Sequence, residues 1–318
     1  MQNGEDSHRS RGAIHALLVP CSSRKKVRPG MGARAVSFPI SDQSCLETAW
    51  IERLNSLPIA CRADDLYGGR GFQLALRASQ ISEAPLYAIS AGLGLVAIEH
   101  FIPAYGLTVS GKGPESIAAR INDHFDPESW WSAVSRGPYS TPMTHIFSSG
   151  ASKCVIVALS RSYARMLASS LDALPNSAIT RLRIVGANLG PILPSRLSPS
   201  LLPYDERLQA ILPGTRSDFA QRALLHFVSS GLDVHPEGDA ATHHGWVMSA
   251  LSGKKAPVRR QRERLRDEDI LALIQQHLPR TTGIGRLLRV LRDREGVACE
   301  QARFSRLYRE ATGGRGLV

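Results

Sequence analysis

The sequence has no apolar run approaching the 18 residues that a membrane-spanning helix needs. Its first dozen residues, MQNGEDSHRSRG, contain no hydrophobic signal core. Both absences favour a cytoplasmic protein with no membrane partner. No two cysteines form a C-x-x-C pair. The five present, Cys21, Cys45, Cys61, Cys154 and Cys299, are scattered and odd in number, which argues against a disulfide framework and against a thiolate zinc cage. Histidines cluster at His235, His243 and His244, yet no helical i, i+4 pair with an intervening Glu occurs among them, so no metal is expected. Nothing in the chain calls for a cofactor. Acidic residues are in deficit, 28 Asp and Glu against 39 Lys and Arg, and such an imbalance points to a polyanionic partner. What remains is substantial: 318 residues, 43% of them apolar, enough for two domains with a real core.

Taken in order, residues 1–12 read as a disordered lead-in and Ile14–Val19 as a buried strand. A long Arg/Lys/Gly/Pro loop covers 24–39, followed by helices over Cys45–Leu54 and Ala63–Ile81. Pro85–Ser90 is a second strand, running into S-A-G-L-G-L, where glycines serve either a tight turn or the close approach of a ligand. An amphipathic helix is expected over Pro114 to about Phe125. After the connector Arg136–Pro142 the pattern restarts with a strand at Lys153–Leu159, a helix at Tyr163–Leu171 and a strand at Arg181–Val185. This alternation predicts an α/β domain over 13–250 in two halves, about 13–135 and 143–250. Thr215 or Ser217 is placed to cap a helix with Phe219, Ala223, Leu224 and Phe227 on its apolar face. His235–Trp246 reads as a loop.

A basic linker follows at 251–266. From Leu251 onward the chain holds 16 Lys and Arg against 8 Asp and Glu, eight of the eleven net positive charges. Three helical patterns, Asp267–Leu278, Gly283–Arg294 and Ala298–Ala311, carry apolar residues at three- and four-residue spacing. They predict a small all-α domain over 267–318. Its arginine-studded last helix suits a helix-turn-helix module, and a three-helix protein-interaction domain has the same pattern. Candidate nucleic-acid contacts are Lys254, Lys255, Arg259, Arg260, Arg286, Arg303 and Arg306.

The chemistry concentrates at Ala16–Lys26, A-L-L-V-P-C-S-S-R-K-K. A buried strand stops at Pro20, and a thiol, two hydroxyls and three cations follow. Strand ends are where open α/β sheets place their ligands. Cys21 is either a small buried hydrophobe or a nucleophile whose thiolate is favoured by Arg24, Lys25 and Lys26.

The P-C-S-x-x-K of Pro20–Lys25 resembles the signature of the archaeosine synthase catalytic domain. S-A-G-L-G-L-V…I-P-A-Y-G-L-T at Ser90–Thr108 is similar to the G-L-Y-G-L-L…I-x-P-Y motif of the YaaA family, and D-L-Y at Asp65–Tyr67 is typical of related bacterial domains. The resemblance spans about 14–121. Two departures stand out: Lys26-Val27 replaces the P-Y that follows the archaeosine enzymes' lysine, and no S-x-x-H follows. The YaaA branch carries P-A-K without this cysteine.

The resemblance implies a YaaA-like mixed sheet flanked by helices and, in its DpdC-like branch, action on a 7-deazaguanine base in DNA. Nitrile hydrolysis of 7-cyano-7-deazaguanine to the 7-amido form follows as the expected reaction, with DNA, or RNA, as partner alongside other 7-deazaguanine modification proteins. Under that reading Cys21, Lys25, Asp205 and Asp218 are the catalytic candidates. Ser22, Ser23, Tyr67, Ser90, Gly92, Gly94, Tyr105, Arg207, Arg216 and Arg222 are the candidates for holding substrate. A non-enzymatic YaaA-like DNA-binding stress protein and a nucleobase or nucleoside hydrolase of a defence island are the competing expectations.

Overall fold

A computed structural model of the chain describes residues 13–109, 113–148, 153–257 and 262–313. They fall into two compact units divided between Ala256 and Pro257. Arg259 and Arg260 lie outside the described residues.

The first unit is α/β. In chain order its elements are β1 (Ile14–Pro20), α1 (Gln43–Ser56), β2 (Cys61–Arg62), α2 (Ala63–Leu66), α3 (Arg70–Ser82), β3 (Leu86–Ser90), β4 (Gly94–Ala97) and β5 (Phe101–Ile102). There follow α4 (Pro127–Val134), α5 (Met143–Ser148), β6 (Cys154–Ala158), α6 (Arg161–Asp172), α7 (Asn176–Ile179) and β7 (Leu182–Val185). Next come α8 (Phe219–His226), a π-helical turn at Phe227–Gly231, α9 (Leu232–Val234) and α10 (Ala240–Leu251).

One mixed sheet in the order β4-β3-β1-β6-β7 joins both expected halves. β1 pairs in parallel with β3, Leu17 opposite Leu86 and Pro20 opposite Ile89, and with β6, Leu17 opposite Ile156. β4 returns antiparallel from β3, with Ser90 opposite Gly94. Every residue of β6 and all but one of β1 are buried, as a parallel strand covered on both faces must be. α3 and α8 pack together against the central strands, while α4 packs against α1 and α6.

The order of connections matters for the site. From β1 the chain passes to β3 on one side, and from β6 it passes to β7 on the other. The crevice beyond the carboxyl ends of β1 and β6 is therefore the topological switch point, where open α/β sheets bind ligands.

Several local expectations are corrected. The helix read over Ala63–Ile81 is two, α2 and α3, because Gly69 adopts φ 88, a left-handed backbone that ends a helix and suits glycine. Over Pro114–Phe125 only a 3-10 turn, Ile117–Arg120, forms. After the connector Arg136–Pro142 comes a helix that was not expected, α5 at Met143–Ser148. α8 starts after Asp218, not after a capping Thr215 or Ser217. Half of the expected histidine loop is α10, capped by Asp239, whose side chain accepts from the Thr242 N–H at 2.7 Å.

That helix places His243 in the core. Arg183 of β7 is buried, and its Nε donates to His243 Nδ1 at 2.9 Å, while His243 Nε2 meets the His235 carbonyl at 2.8 Å. The imidazole is neutral with its proton on Nε2, and no ligand nitrogen is left for a metal. Among the described residues no three His, Cys, Asp or Glu side chains come together as a metal-binding group. His226 is likewise buried, its Nδ1 2.9 Å from the Tyr204 hydroxyl.

Burial lowers the pKa of both histidines below the ordinary 6.5. A depressed folded-state pKa gives stability that is whole above the unfolded value and is lost as pH falls through the folded one, because the unfolded chain takes up protons first. Thermal unfolding followed by circular dichroism from pH 8 to pH 5 is expected to show the melting temperature dropping below about pH 6.5. A flat profile over that window would refute the neutral, buried assignment.

The second unit packs three helices, α11 (Asp267–His277), α12 (Ile284–Asp293) and α13 (Gln301–Ala311). Ile270, Ile274, Leu287, Leu291, Phe304 and Leu307 form its core. No helix of the described residues is long and apolar enough to cross a membrane.

Candidate active site

β1 delivers Cys21 to the switch-point crevice. The Cys21 N–H still bonds to the Ile89 carbonyl at 2.9 Å, extending the ladder one residue past Pro20. The chain then turns across the break between α2 and α3. Lys26 N–H bonds to the Leu66 carbonyl and Gly68 N–H to the Arg24 carbonyl. Lys25 and Tyr67 consequently face each other as a bridge pair.

Three tyrosines from distant segments meet here. Tyr163, in the first turn after β6, has its hydroxyl 3.3 Å from Cys21 Sγ. The Tyr105 hydroxyl lies 3.6 Å from the same sulfur. It also bonds to Tyr67 Oη at 3.0 Å and to Ser90 Oγ at 2.6 Å. All three rings are buried. Burial, reinforced by a negative charge on Cys21, pushes every one of these phenols above its ordinary value. They stay protonated, and the Tyr163 and Tyr105 hydroxyls are placed to donate to a thiolate, or to a nitrogen or oxygen bonded beside it, with the Tyr67 hydroxyl behind Tyr105.

Lys25 completes the cluster. Its Nζ sits 4.3 Å above the Tyr105 ring and donates to the Ser22 carbonyl at 3.4 Å. Burial lowers its pKa, and the charges of Cys21 and Glu115 only partly restore it. A desolvated lysine of this kind can exchange protons closer to neutrality than an exposed one.

A cleft of about 390 Å³ opens beside the sulfur, lined by Cys21, Ser22, Ser23, Gly69–Phe72, Thr215, Ser217, Asp218 and Gln221. The starts of α3 and α8 form its far wall. Its volume falls in the range of small-molecule sites, roughly 300–1,000 Å³.

The residues singled out from the sequence divide into groups. Cys21, Ser22, Ser23 and Asp218 line the cleft, and Lys25, Tyr67, Ser90 and Tyr105 form the polar cluster behind it. Ser90 also caps its own turn, accepting from Gly92 N–H at 3.2 Å and Leu93 N–H at 2.9 Å.

Gly92 and Gly94 belong to the β3–β4 hairpin instead of touching a ligand. A Cβ at Gly92 would stand 2.7 Å from the Tyr105 ring. At Gly94, where φ is 78, one would meet Val134 O at 2.7 Å. Both glycines are there for close packing.

Arg222 is fully buried and all three of its nitrogens are engaged: Nε donates to Asp218 Oδ1 at 2.8 Å, and the other two to Gln209 Oε1 and to the Leu212 and Thr215 carbonyls. It braces the cleft wall. Asp205 and Arg207 pair with each other at 2.8 Å and are not among the residues lining the cleft. The guanidinium holds the Asp205 carboxyl below its ordinary range. Arg216 is exposed, between the lining residues Thr215 and Ser217.

Lys254 and Lys255 are exposed beyond the end of α10. In the second unit Arg286 is exposed, but Arg303 and Arg306 both bind Asp267, at 2.7 and 2.5 Å. Those two arginines secure α13 to α11.

Three functional candidates were not anticipated: Tyr163, Arg70 and Gln221. Tyr163 lies 142 residues from Cys21, so only the pairing of β1 with β6 brings them together. Arg70 had a local signal, since the Y-G-G-R-G run follows the D-L-Y motif directly. The chain matches no family model, no curated protein and no solved structure.

Proposed function

We propose that this protein hydrates the nitrile of a 7-cyano-7-deazaguanine base in DNA, in the cytoplasm, giving the 7-amido base. The observation that carries the reading is the thiol at the switch-point crevice, ringed by protonated tyrosine hydroxyls and backed by a desolvated lysine. A nitrile needs a soft nucleophile at carbon and a proton at nitrogen, and this cluster supplies both.

In the proposed reaction the Cys21 thiol gives its proton to Lys25, and the thiolate attacks the nitrile carbon. One π pair moves to nitrogen, which Lys25 protonates, leaving a thioimidate. Tyr163 and Tyr105 donate hydrogen bonds to the sulfur and to the group forming beside it. Water then adds to the same carbon. One of its protons reaches nitrogen and the other returns to sulfur as the C–S bond breaks, so one water is gained overall. Asp218 takes no proton in this scheme and serves the cleft wall, its Oδ1 accepting from Arg222 and from the Thr215 N–H.

A base inside a duplex has to be flipped out, or presented single-stranded, to enter such a cleft. The basic three-helix unit supports a helix-turn-helix role in holding the DNA. Arg286 and Arg289 are exposed on α12 and make no ion pair among the described residues.

The test is direct. The protein is incubated with an oligonucleotide carrying one 7-cyano-7-deazaguanine, the DNA is digested, and the nucleosides are weighed by mass spectrometry. A gain of one water, about 18 Da, is expected. A folded, DNA-binding preparation that leaves the nitrile untouched would overturn the reading.

A further inference from the structure

The cleft wall facing Cys21 contains two buried acceptors with nothing to accept. Asp218 Oδ2 and Gln221 Oε1 have no hydrogen-bond partner, although the two residues are 3% and 6% exposed. Buried acceptors in a folded protein are ordinarily satisfied, so an orphan calls for an explanation. Other orphaned atoms exist among the described residues, but of the side chains lining this cleft only these two contain one.

The two residues stand three apart at the start of α8, on one face. Gly71 at the start of α3 lies alongside. A Cβ there would come within 3.4 Å of Gln221 Oε1 and 3.6 Å of Asp218 Cβ, so glycine keeps the wall open. Arg70 lies over the carboxylate. Its Nε is 3.5 Å from Asp218 Oδ2, longer than a hydrogen bond, and its Nη2 donates to the Pro213 carbonyl, while the side chain is 55% exposed and keeps Nη1 as a donor for a ligand. Read along the wall, the groups run donor, acceptor, acceptor: the Arg70 guanidinium, Asp218 Oδ2, Gln221 Oε1.

We infer that this triplet reads the pairing edge of a guanine-type base. That edge presents O6 as acceptor and N1–H and the 2-amino group as donors, the complement of the wall. An adenine-type edge would set its N1 lone pair against a carboxylate, and a hypoxanthine-type base would leave Gln221 without its donor. The five-membered ring, with any substituent at position 7, lies on the far side of the base from N1 and the 2-amino group. A base held this way turns that substituent away from α8, toward the strand end where Cys21 stands. The inference rests on the nucleobase reading above and adds the residues that choose the base.

The experiment measures binding, not turnover. The full chain is titrated by fluorescence anisotropy against single-stranded oligonucleotides that differ at one position, carrying 7-deazaguanine, 7-deazahypoxanthine or 7-deazaadenine. Wild type is expected to prefer 7-deazaguanine over 7-deazahypoxanthine by about tenfold or more, since a site built to bond a group rejects the analogue lacking it. Gln221→Met, which keeps the volume, is expected to bring that ratio close to one, and Gln221→Glu, which keeps an acceptor, to retain it. Equal binding of all three bases by wild type, or an unchanged ratio in Gln221→Met, would overturn the inference. None of these probes carries a nitrile. Absence of the mass gain with base preference intact would therefore sink the hydration reading alone, and hydration without base preference would sink only this one.

Discussion

Alanine at Cys21 is expected to slow nitrile hydration at least about 10³-fold, in line with removal of a nucleophile that works as part of a unit. Binding of the oligonucleotide should be nearly unchanged. The thermal midpoint should fall by a few degrees, because the buried Tyr163 hydroxyl loses its bond to the sulfur, a loss of about 1–3 kcal/mol. Tyr163→Phe keeps the ring in its packed position and deletes one donor 3.3 Å from the sulfur. Its effect is expected to be smaller, about 10²-fold, the scale of losing one preorganised hydrogen bond to a developing charge. The ordering of the two effects is the diagnostic. If Cys21→Ala hydrates at the wild-type rate while Tyr163→Phe is impaired, the thioimidate is wrong, and water activated directly within the tyrosine and lysine cluster takes its place. Single-turnover mass spectrometry of the intact protein checks the same point. The wild-type chain should show a transient adduct of the substrate that Cys21→Ala lacks.

The part of this site legible in the sequence was the part that is contiguous in it. Ala16–Pro20 reads as a strand because it has no polar alternation, the pattern of a strand buried on both faces. The cysteine, serines and lysine that follow are local by construction. Tyr163 carried no such signal, because nothing about S-R-S-Y declares that β6 will lie beside β1. The same limit explains Arg222. A buried arginine and an exposed one look identical in a sequence, and only the convergence of Gln209, Leu212, Thr215 and Asp218 on its guanidinium settles its post. Other misses were chemical and readable. Asp126-Pro127-Glu128 is a helix start, a capping aspartate before proline in the first turn, and it opens α4 with Trp130 and Trp131 buried. The Gly68-Gly69 pair inside the expected Ala63–Ile81 helix was likewise a break signal. The histidine loop misled because its Asp239, a good N-cap, sits amid glycine and proline that suggest a turn.

Arg222→Met should cost the first unit about 3–5 kcal/mol, the usual penalty for removing one partner of a buried ion pair. The side chains of Arg222 and Asp218 are 2% and 4% exposed, so solvent neither screens the pair nor rescues the carboxylate left behind. Arg70, 3.5 Å from the other oxygen of Asp218 and half exposed, compensates only in part. Two backbone carbonyls, of Leu212 and Thr215, lose their donors as well, and the loop that carries Thr215 and Ser217 into the cleft loses its brace. In a unit of this size each kcal/mol lowers the melting temperature by about 2–4 °C, so a fall of roughly 10 °C is expected by circular dichroism. Arg207→Ala is the control. Its pair with Asp205 is 28% and 47% exposed, and surface pairs of that kind contribute about 0–1 kcal/mol, so its melting temperature should stay within a few degrees of wild type. The comparison separates two roles for Arg222. A large stability loss assigns it to the scaffold of the cleft, whereas an unchanged melting temperature with weakened oligonucleotide binding would make it a substrate contact and would require the guanidinium to leave Asp218 when the base enters.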